Sequence, residues 1–442
     1  NLGQKDLLIE TQGNWGDVRT GDEAAASRYI EARLSKFALE VAFNAKTTDW
    51  ALSYDGRKNE PVTLPMKFPL LLAQGAEGIA VGLATKILPH NFCELIDASI
   101  KYLRGKKFEI LPDFQTGGTM DASNYNEGVR GGKIRVRAVI EEVDKKTLVI
   151  RNVPFGVTTT QLMESIVKAN DQGKIKVKKV TDHTAAEVEI IVELAPGISP
   201  DITIDALYAF TDCEVSISPN TCVIVKDKPQ FLKVSDLLKT ATDNTKELLK
   251  RELEIKLAEL YEKWHFTSLE KIFFEEKIYK ELEKKHETWD KVLEAIDKAF
   301  TPFKKLLKRD ITREDIIKLT EKPVRRIYKL DIDDLIEQIK GLEDDIKQVK
   351  FDLDNLTDFA VAYYENLLKK YGKGRERKTE IKQFDVIQAK SVAIANIKIY
   401  ANFADGFIGT GLKKDEFIAE VSDLDDIIAF TKGGIMKVVK VS

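Results

Sequence analysis

The sequence predicts a multidomain α+β chain with a long antiparallel coiled coil in its second half. Three observations carry that expectation. The 442 residues, 43% hydrophobic and 32% charged, suffice for several separate cores. Between residues 113 and 235, β-branched runs such as "KIRVRAVIEEV", "KTLVIRNVP" and "AEVEIIVELA" alternate with Gly, Pro and Asp punctuation, around a helical stretch near "TTTQLMESIVKAND". From 332 to 356, Ile332, Leu335, Ile339, Leu342, Ile346, Val349, Leu353 and Leu356 repeat in strict three-four alternation, the seam of a coiled coil.

Taken in chain order, "TQGNWGDVRTGD" has the composition of an irregular glycine-rich loop. After it, Ala26, Ile30, Leu34, Phe37 and Val41 step by four, four, three and four, which predicts one helix over about 22–45 with Asp22 as its cap. That helix puts Tyr29 at the edge of the buried face, Arg28 almost opposite the stripe and Arg33 one turn beyond Tyr29. In "PLLLAQGAEGIAVGLATKILPHN", Gly75, Gly78 and Gly82 interrupt apolar runs, as where a backbone turns tightly or approaches something closely; the GxGxxG spacing is absent.

The partner of the seam is expected at 246–264, where Leu249, Leu253, Leu257, Leu260 and Trp264 mark an apolar face. The intervening stretch, rich in Lys, Glu, Phe and Leu, makes a small helical knob at the tip. Its Phe273, Phe274, Trp289 and Phe300 serve as its own core or as a contact between subunits. The basic run holding Lys369, Lys370, Lys373, Arg375, Arg377 and Lys378 reads as a linker. A β-rich tail follows from about Asn396, with a hairpin in "IIAFTKGGIMKVVKV" turning at Gly433 and Gly434; its length resembles a single propeller blade.

Charge and cysteine usage narrow the function classes. The net charge of -3 comes from 69 basic and 72 acidic residues, so affinity for a polyanion must come from local clustering. Cys93, Cys213 and Cys222 are an odd set without CxxC spacing, which fits a reducing cytoplasm better than a zinc knuckle or a disulfide framework. His90, His183, His265 and His286 lack metal-ligand spacing, and there is no GxxxxGK[ST] loop for ATP. No apolar run is long enough to span a bilayer. A start at Asn1 and an end inside a strand pattern are expected of an excised fragment.

Each candidate residue has an ordinary and a chemical reading. Tyr29 is either a half-buried ring or a nucleophile, whose hydroxyl, with an ordinary pKa of about 10, needs nearby cations or a metal-bound partner to attack a phosphodiester. Arg28 and Arg33 are either solvent-facing or placed to hold a phosphate and neutralise its developing charge. Ile79, between Gly78 and Ala80, is either a buried strand residue or a wedge that unstacks base pairs. Lys174, Lys176, Lys178 and Lys179 make a solvated edge or contact phosphates.

Taken together, "QGNWGDVRTGDEAAASRYIEARL", "GAEGIAVGLATKILPHN", "LPDFQTGG", "VRGGKIRVRA" and "YYENLLKKYGKGRERKTEI" resemble, in the same order, segments of the A subunits of bacterial type IIA topoisomerases, the breakage-reunion subunits of DNA gyrase and topoisomerase IV. The resemblance implies that Tyr29 becomes linked to a 5′ phosphate of cleaved DNA, that Arg28 stabilises the transition state and that Ile79 wedges into the bent duplex. Arg33, Lys174, Lys176 and Lys178 would contact the DNA. It divides the chain into the end of a winged-helix domain (1–60), a tower domain (61–235), an outgoing coiled-coil helix (236–265), a helical dimerisation gate (266–325), the returning helix (326–372), a basic linker (373–394) and the start of a β-propeller (395–442).

The same resemblance implies a homodimer that joins a B subunit in an A2B2 enzyme acting on double-stranded DNA in the bacterial cytoplasm. Mg²⁺ and ATP would both be bound by the B subunit, not by this chain alone. The first winged-helix portion, with a histidine that supports catalysis, would precede Asn1. "DFQTGGTMDASNYNEGVRGGKIRVRA" is closer to the topoisomerase IV type, and the gyrase box of QRRGGKG type is absent. The gyrase type is the alternative, and a non-catalytic DNA-bridging coiled-coil protein is the alternative from another class.

Overall fold

Two antiparallel strands, β1 (Ile9–Gln12) and β2 (Glu31–Leu34), open the chain, with Ile9 opposite Leu34 and Gln12 opposite Glu31. The computed structural model describes residues 4–5, 7–322, 329–385, 387–411 and 415–441; the boundary expected at 325/326 lies outside them. Helix α1 (Lys36–Val41) starts where the Ser35 hydroxyl accepts a hydrogen bond from the Ala38 N–H, and it buries Phe37, Ala38 and Val41.

The single helix expected over 22–45 is therefore replaced by a 3-10 turn (Ser27–Tyr29), β2 and α1. Of the proposed stripe only Phe37 and Val41 are buried; Ala26 and Leu34 face solvent. The backbone groups of 31–34 pair across to β1, and this non-local ladder overrides the helix propensity of the alanines.

A hairpin of β3 (Trp50–Leu52) and β4 (Asn59–Pro61) precedes the short helix α2 (Leu70–Gln74). A second hairpin, β5 (Ala76–Ala80) and β6 (Leu83–Ile87), leads to α3 (Phe92–Leu103), capped by Asn91. The mixed α/β unit expected from 113 onward follows, with β7 (Thr119–Asn124), β8 (Lys133–Arg137), β9 (Ile140–Asp144), β10 (Thr147–Ile150), α4 (Thr159–Asp171), β11 (Val177–Asp182), β12 (Ile190–Leu194), α5 (Pro200–Phe210) and β13 (Glu214–Ile217). The order β11-β12-β10-β9 makes one four-stranded sheet, whose Leu148, Ile150, Ile190 and Val192 pack with Leu162 and Ile166 of α4. Strands β13, β8 and β7 form another sheet, and Met120, Ile134 and Val136 join Leu72, Leu95 and Phe114 in a second core.

After the β14 (Cys222–Val225) and β15 (Lys228–Phe231) hairpin, α6 (Val234–Glu275) runs outward. Helices α7 (Trp289–Phe300) and α8 (Arg313–Thr320) fold at its end, and α9 (Lys329–Asp354) and α10 (Leu356–Tyr371) return. Leu253, Leu260 and Trp264 pack against Ile346 and Val349, as the seam predicts. Lys246 Nζ donates to Thr357 at 2.8 Å and Trp264 Nε1 to Glu343 at 3.1 Å, so advancing along α6 means retreating along the returning chain; the pair is antiparallel. The first seam residues, Ile332 and Leu335, instead join the knob core with Phe273, Phe274 and Phe300, while Trp289 is exposed.

The basic run is not a free tether. Arg377 forks onto Glu94 at 2.6 and 2.5 Å and donates to the Leu111 and Pro112 carbonyls; β16 (Glu380–Ile381) then pairs in parallel with β7. After the short α11 (Ala389–Val392) come β17 (Ile397–Asn402), β18 (Phe407–Gly409), β19 (Glu416–Val421), β20 (Asp426–Phe430) and β21 (Met436–Lys440). The expected hairpin is β20 paired with β21, and Gly434 at φ +80° supplies its turn. Among the described residues the tail is a three-stranded sheet, β18-β17-β19, and a separate two-stranded one, β20-β21.

Candidate active site

Tyr29 ends the loop that joins β1 to β2. No residue from 13 to 30 is buried, so backbone hydrogen bonds fix the loop's shape: Ala25 N–H to the Asn14 carbonyl and Tyr29 N–H to the Ala26 carbonyl, both at 2.9 Å. Gly13, at φ +90°, lies so close that a Cβ there would be 2.5 Å from the Tyr29 carbonyl oxygen. Glycine is the residue that this approach permits.

The Tyr29 side chain is 67% exposed, not at the edge of a buried face. Arg28 is not turned away from it, since its guanidinium lies 4.8 Å from the centre of the Tyr29 ring. The expected helical geometry fails because the residues sit in a single 3-10 turn followed by a strand. Arg33 is on β2, directly opposite Glu10, and the pair is joined at 2.7 Å. Asp22 caps no helix; it accepts from the Thr20 hydroxyl at 2.7 Å and its carbonyl accepts from the Asp17 N–H. What results is an accessible phenol stacked with a cation, able to meet a large anionic ligand.

Ile79 lies on strand β5, as one reading expected, but it is 92% exposed instead of buried. Val81 at the hairpin tip is also fully exposed, and Gly82 turns the chain at φ +74°. Asn220 anchors the hairpin's base: its backbone exchanges hydrogen bonds with Lys86 at 2.8 and 3.0 Å, and its side-chain amide donates to the Ala84 carbonyl at 2.6 Å. At the root, Gly75 has φ +64°, and a Cβ there would meet the Ile87 carbonyl oxygen at 2.6 Å.

Lys174, Lys176, Lys178 and Lys179 surround the start of β11, an edge strand, as the solvated-edge reading has it. Lys178 pairs with Glu193 at 3.0 Å and Lys174 lies over the Phe210 ring. Glu252 of α6 accepts from Lys67 at 2.7 Å and from Asn44 at 2.8 Å, which seats the tyrosine-bearing unit on the root of the helix pair. Sequence reasoning does not single out Arg19; it stands in the loop ahead of Tyr29, and it donates to the Ala186 carbonyl, far away along the chain.

Among the described residues no three His, Cys, Asp or Glu side chains converge as a metal site, and no helix is long and apolar enough to cross a membrane.

Residues 1–367 match the family described as the A subunit of DNA gyrase/topoisomerase IV. The chain is 41% identical to the A subunit of DNA topoisomerase 4 from Borreliella burgdorferi over 97% of its own length and 68% of the relative's. It is 34% identical to the A subunit of DNA gyrase from Lawsonia intracellularis over 58% of this chain and 34% of that one, and 30% identical to the A subunit of DNA gyrase from Chlamydia pneumoniae over 83% and 43%.

Proposed function

The chain belongs to the A-subunit family of DNA gyrase and topoisomerase IV, and we propose that it is the breakage-reunion subunit of a type IIA topoisomerase with Tyr29 as nucleophile. The Tyr29 oxygen attacks a backbone phosphorus; the new O–P bond forms as the bond to the 3′ oxygen breaks. The phenolic proton is lost and the 3′ oxygen gains one. Because one ester replaces another, nothing is hydrolysed, and the 3′ hydroxyl reverses the step to reseal the strand. Arg28 stabilises charge on the phosphoryl oxygens as it develops. Ile79 enters the duplex as a wedge, and Arg33, Lys174, Lys176 and Lys178 hold phosphates.

By the same family likeness, Mg²⁺ and ATP belong to a B subunit in the cytoplasm. Two copies meet at the helical knob in an A2B2 assembly. We take residues 1–60 as the end of a winged-helix domain, 61–235 as the tower and the tail as the start of a propeller. Topoisomerase IV is preferred over gyrase because the topoisomerase relative matches at higher identity along nearly the whole chain.

The observation that most supports this reading is the exposed Tyr29 under Arg28 in its glycine-built loop. The test is covalent capture: the full-length subunit with its B partner, Mg²⁺ and DNA should give a denaturation-resistant adduct that is absent in Tyr29→Phe. Mass spectrometry should place the nucleotide on Tyr29. An undiminished adduct in that variant rejects the nucleophile; no adduct in the wild type favours a non-catalytic bridging protein.

A further inference from the structure

A charged residue in a glycine-rich surface loop ordinarily meets only solvent, whereas Arg19 in "GDVRTGDE", though partly exposed, is bonded within the protein. Its Nε and Nη2 fork onto the Asp17 carboxylate at 3.0 and 2.6 Å, which leaves Nη1 to donate to the Ala186 carbonyl, 167 residues away, at 2.8 Å. The Arg19 carbonyl in turn accepts from the Thr159 N–H at 2.8 Å. Thr159 is the first residue of α4, whose leading N–H groups have no partner within the helix. Beside it, Gly21 at φ +82° packs so close to Thr158 that a Cβ would sit 2.9 Å from the threonine methyl.

These contacts dock the turn 17–22 onto the start of α4 and the connection between β11 and β12. The turn is closed on itself, since the Asp17 N–H donates to the Asp22 carbonyl and the Gly21 N–H to the Asp17 carbonyl. The fork holds the Asp17 carboxyl below its ordinary range, so the pair stays charged at neutral pH. The loop that ends at Tyr29 is thus fixed at two places, the β1/β2 ladder at its root and the Arg19 dock at its far side. The Ile79 hairpin is anchored to the same α/β unit, through Asn220. That unit, and not the irregular stretches between α1 and α2 alone, sets the nucleophile's place relative to the wedge.

We propose that Arg19 is a positioning residue for DNA cleavage, a latch that holds the Tyr29 loop against the α/β unit; this rests on the reading of Tyr29 as the nucleophile. A latch acts on geometry at the reacting phosphorus and not on affinity, because Nε, Nη1 and Nη2 of Arg19 each donate to a partner within the protein.

The test uses the full-length subunit with its B partner. Arg19→Ala is expected to slow cleavage at saturating DNA by about ten- to a hundredfold, the scale on which small misplacements of reacting groups act. The half-saturating DNA concentration and the melting temperature should stay at wild-type values. Asp17→Asn should slow cleavage in the same direction, and the double variant should be no slower than Arg19→Ala because the two residues act as a unit. Arg19→Lys keeps the charge and loses the fork, and should remain slow. Wild-type cleavage in Arg19→Ala, a parallel loss of DNA affinity, or full rescue by lysine would each overturn the latch. Tyr29→Phe run alongside separates the two readings: adduct formation in that variant defeats the nucleophile assignment, whereas its silence beside a wild-type Arg19→Ala defeats the latch alone.

Discussion

Along α6, Leu253, Leu260 and Trp264 are buried against the returning helices, whereas between residues 13 and 30 nothing is buried at all. The helix pair is held by apolar area removed from water. The tyrosine loop is held by hydrogen bonds, positive-φ glycines and one arginine dock. A region built the first way resists unfolding but withholds its seam side chains from a ligand; one built the second way presents Tyr29, Arg28 and its backbone to solvent at little cost in core. Stability and chemistry are thus assigned to different stretches of chain, and substitutions should separate them.

The largest effect should come from Arg28→Ala. Arg28 is exposed and lies over the Tyr29 ring, which is itself exposed, so its loss should leave the melting temperature unchanged. Cleavage measured by adduct formation should fall by about 10²–10³, as when one group that stabilises transition-state charge is removed. A lower melting temperature with intact cleavage would erase the contrast between the two regions. The converse substitution is Leu253→Ala, at a 5% exposed seam position. It should cost about 3 kcal/mol of stability, seen as a lower melting temperature by helix circular dichroism, with cleavage near wild type at low temperature. A loss of cleavage without a loss of stability would show that the seam reports directly to the site.

The same contrast decides what can be read from the sequence. The three-four alternation from Ile339 to Leu356 is legible because burial selected it, and it finds its partner face on α6. The four-residue steps through Ala26, Ile30 and Leu34 also read as a helix face, yet these residues are not buried; only Leu34 lies on a strand, and its partner segment, Ile9–Gln12, is in a stretch with no apolar alternation of its own. Ile79 shows the limit of local pattern: an apolar residue between small ones looks like buried strand, and only the matching motif suggested an exposed role. Arg377 and Arg19 were out of reach for another reason. Their partners, Glu94 and Ala186, lie 283 and 167 residues away, and no spacing announces such a contact.

His90 sharpens the comparison at the smallest scale, because it sits where an exposed element meets a core. It is buried at the root of the Ile79 hairpin, with Nδ1 3.3 Å from the Leu72 carbonyl and Nε2 3.2 Å from the Tyr125 hydroxyl. Facing a carbonyl, Nδ1 carries the proton, and Nε2 accepts from Tyr125. Burial, with the Arg377 charge acting in the same direction, lowers its pKa from 6.5 to about 4. The folded chain therefore keeps His90 neutral between those values while the unfolded chain binds a proton, so stability is complete above the unfolded value and declines as pH falls toward the folded one. From about pH 7.5 to about pH 5 the loss attributable to this group is about 2 kcal/mol. Denaturant unfolding of wild type and His90→Gln at both pH values checks it: the wild-type advantage should shrink by that amount on acidification. A gap independent of pH would mean that the imidazole is solvated, and that the hairpin's root is as open to water as its tip.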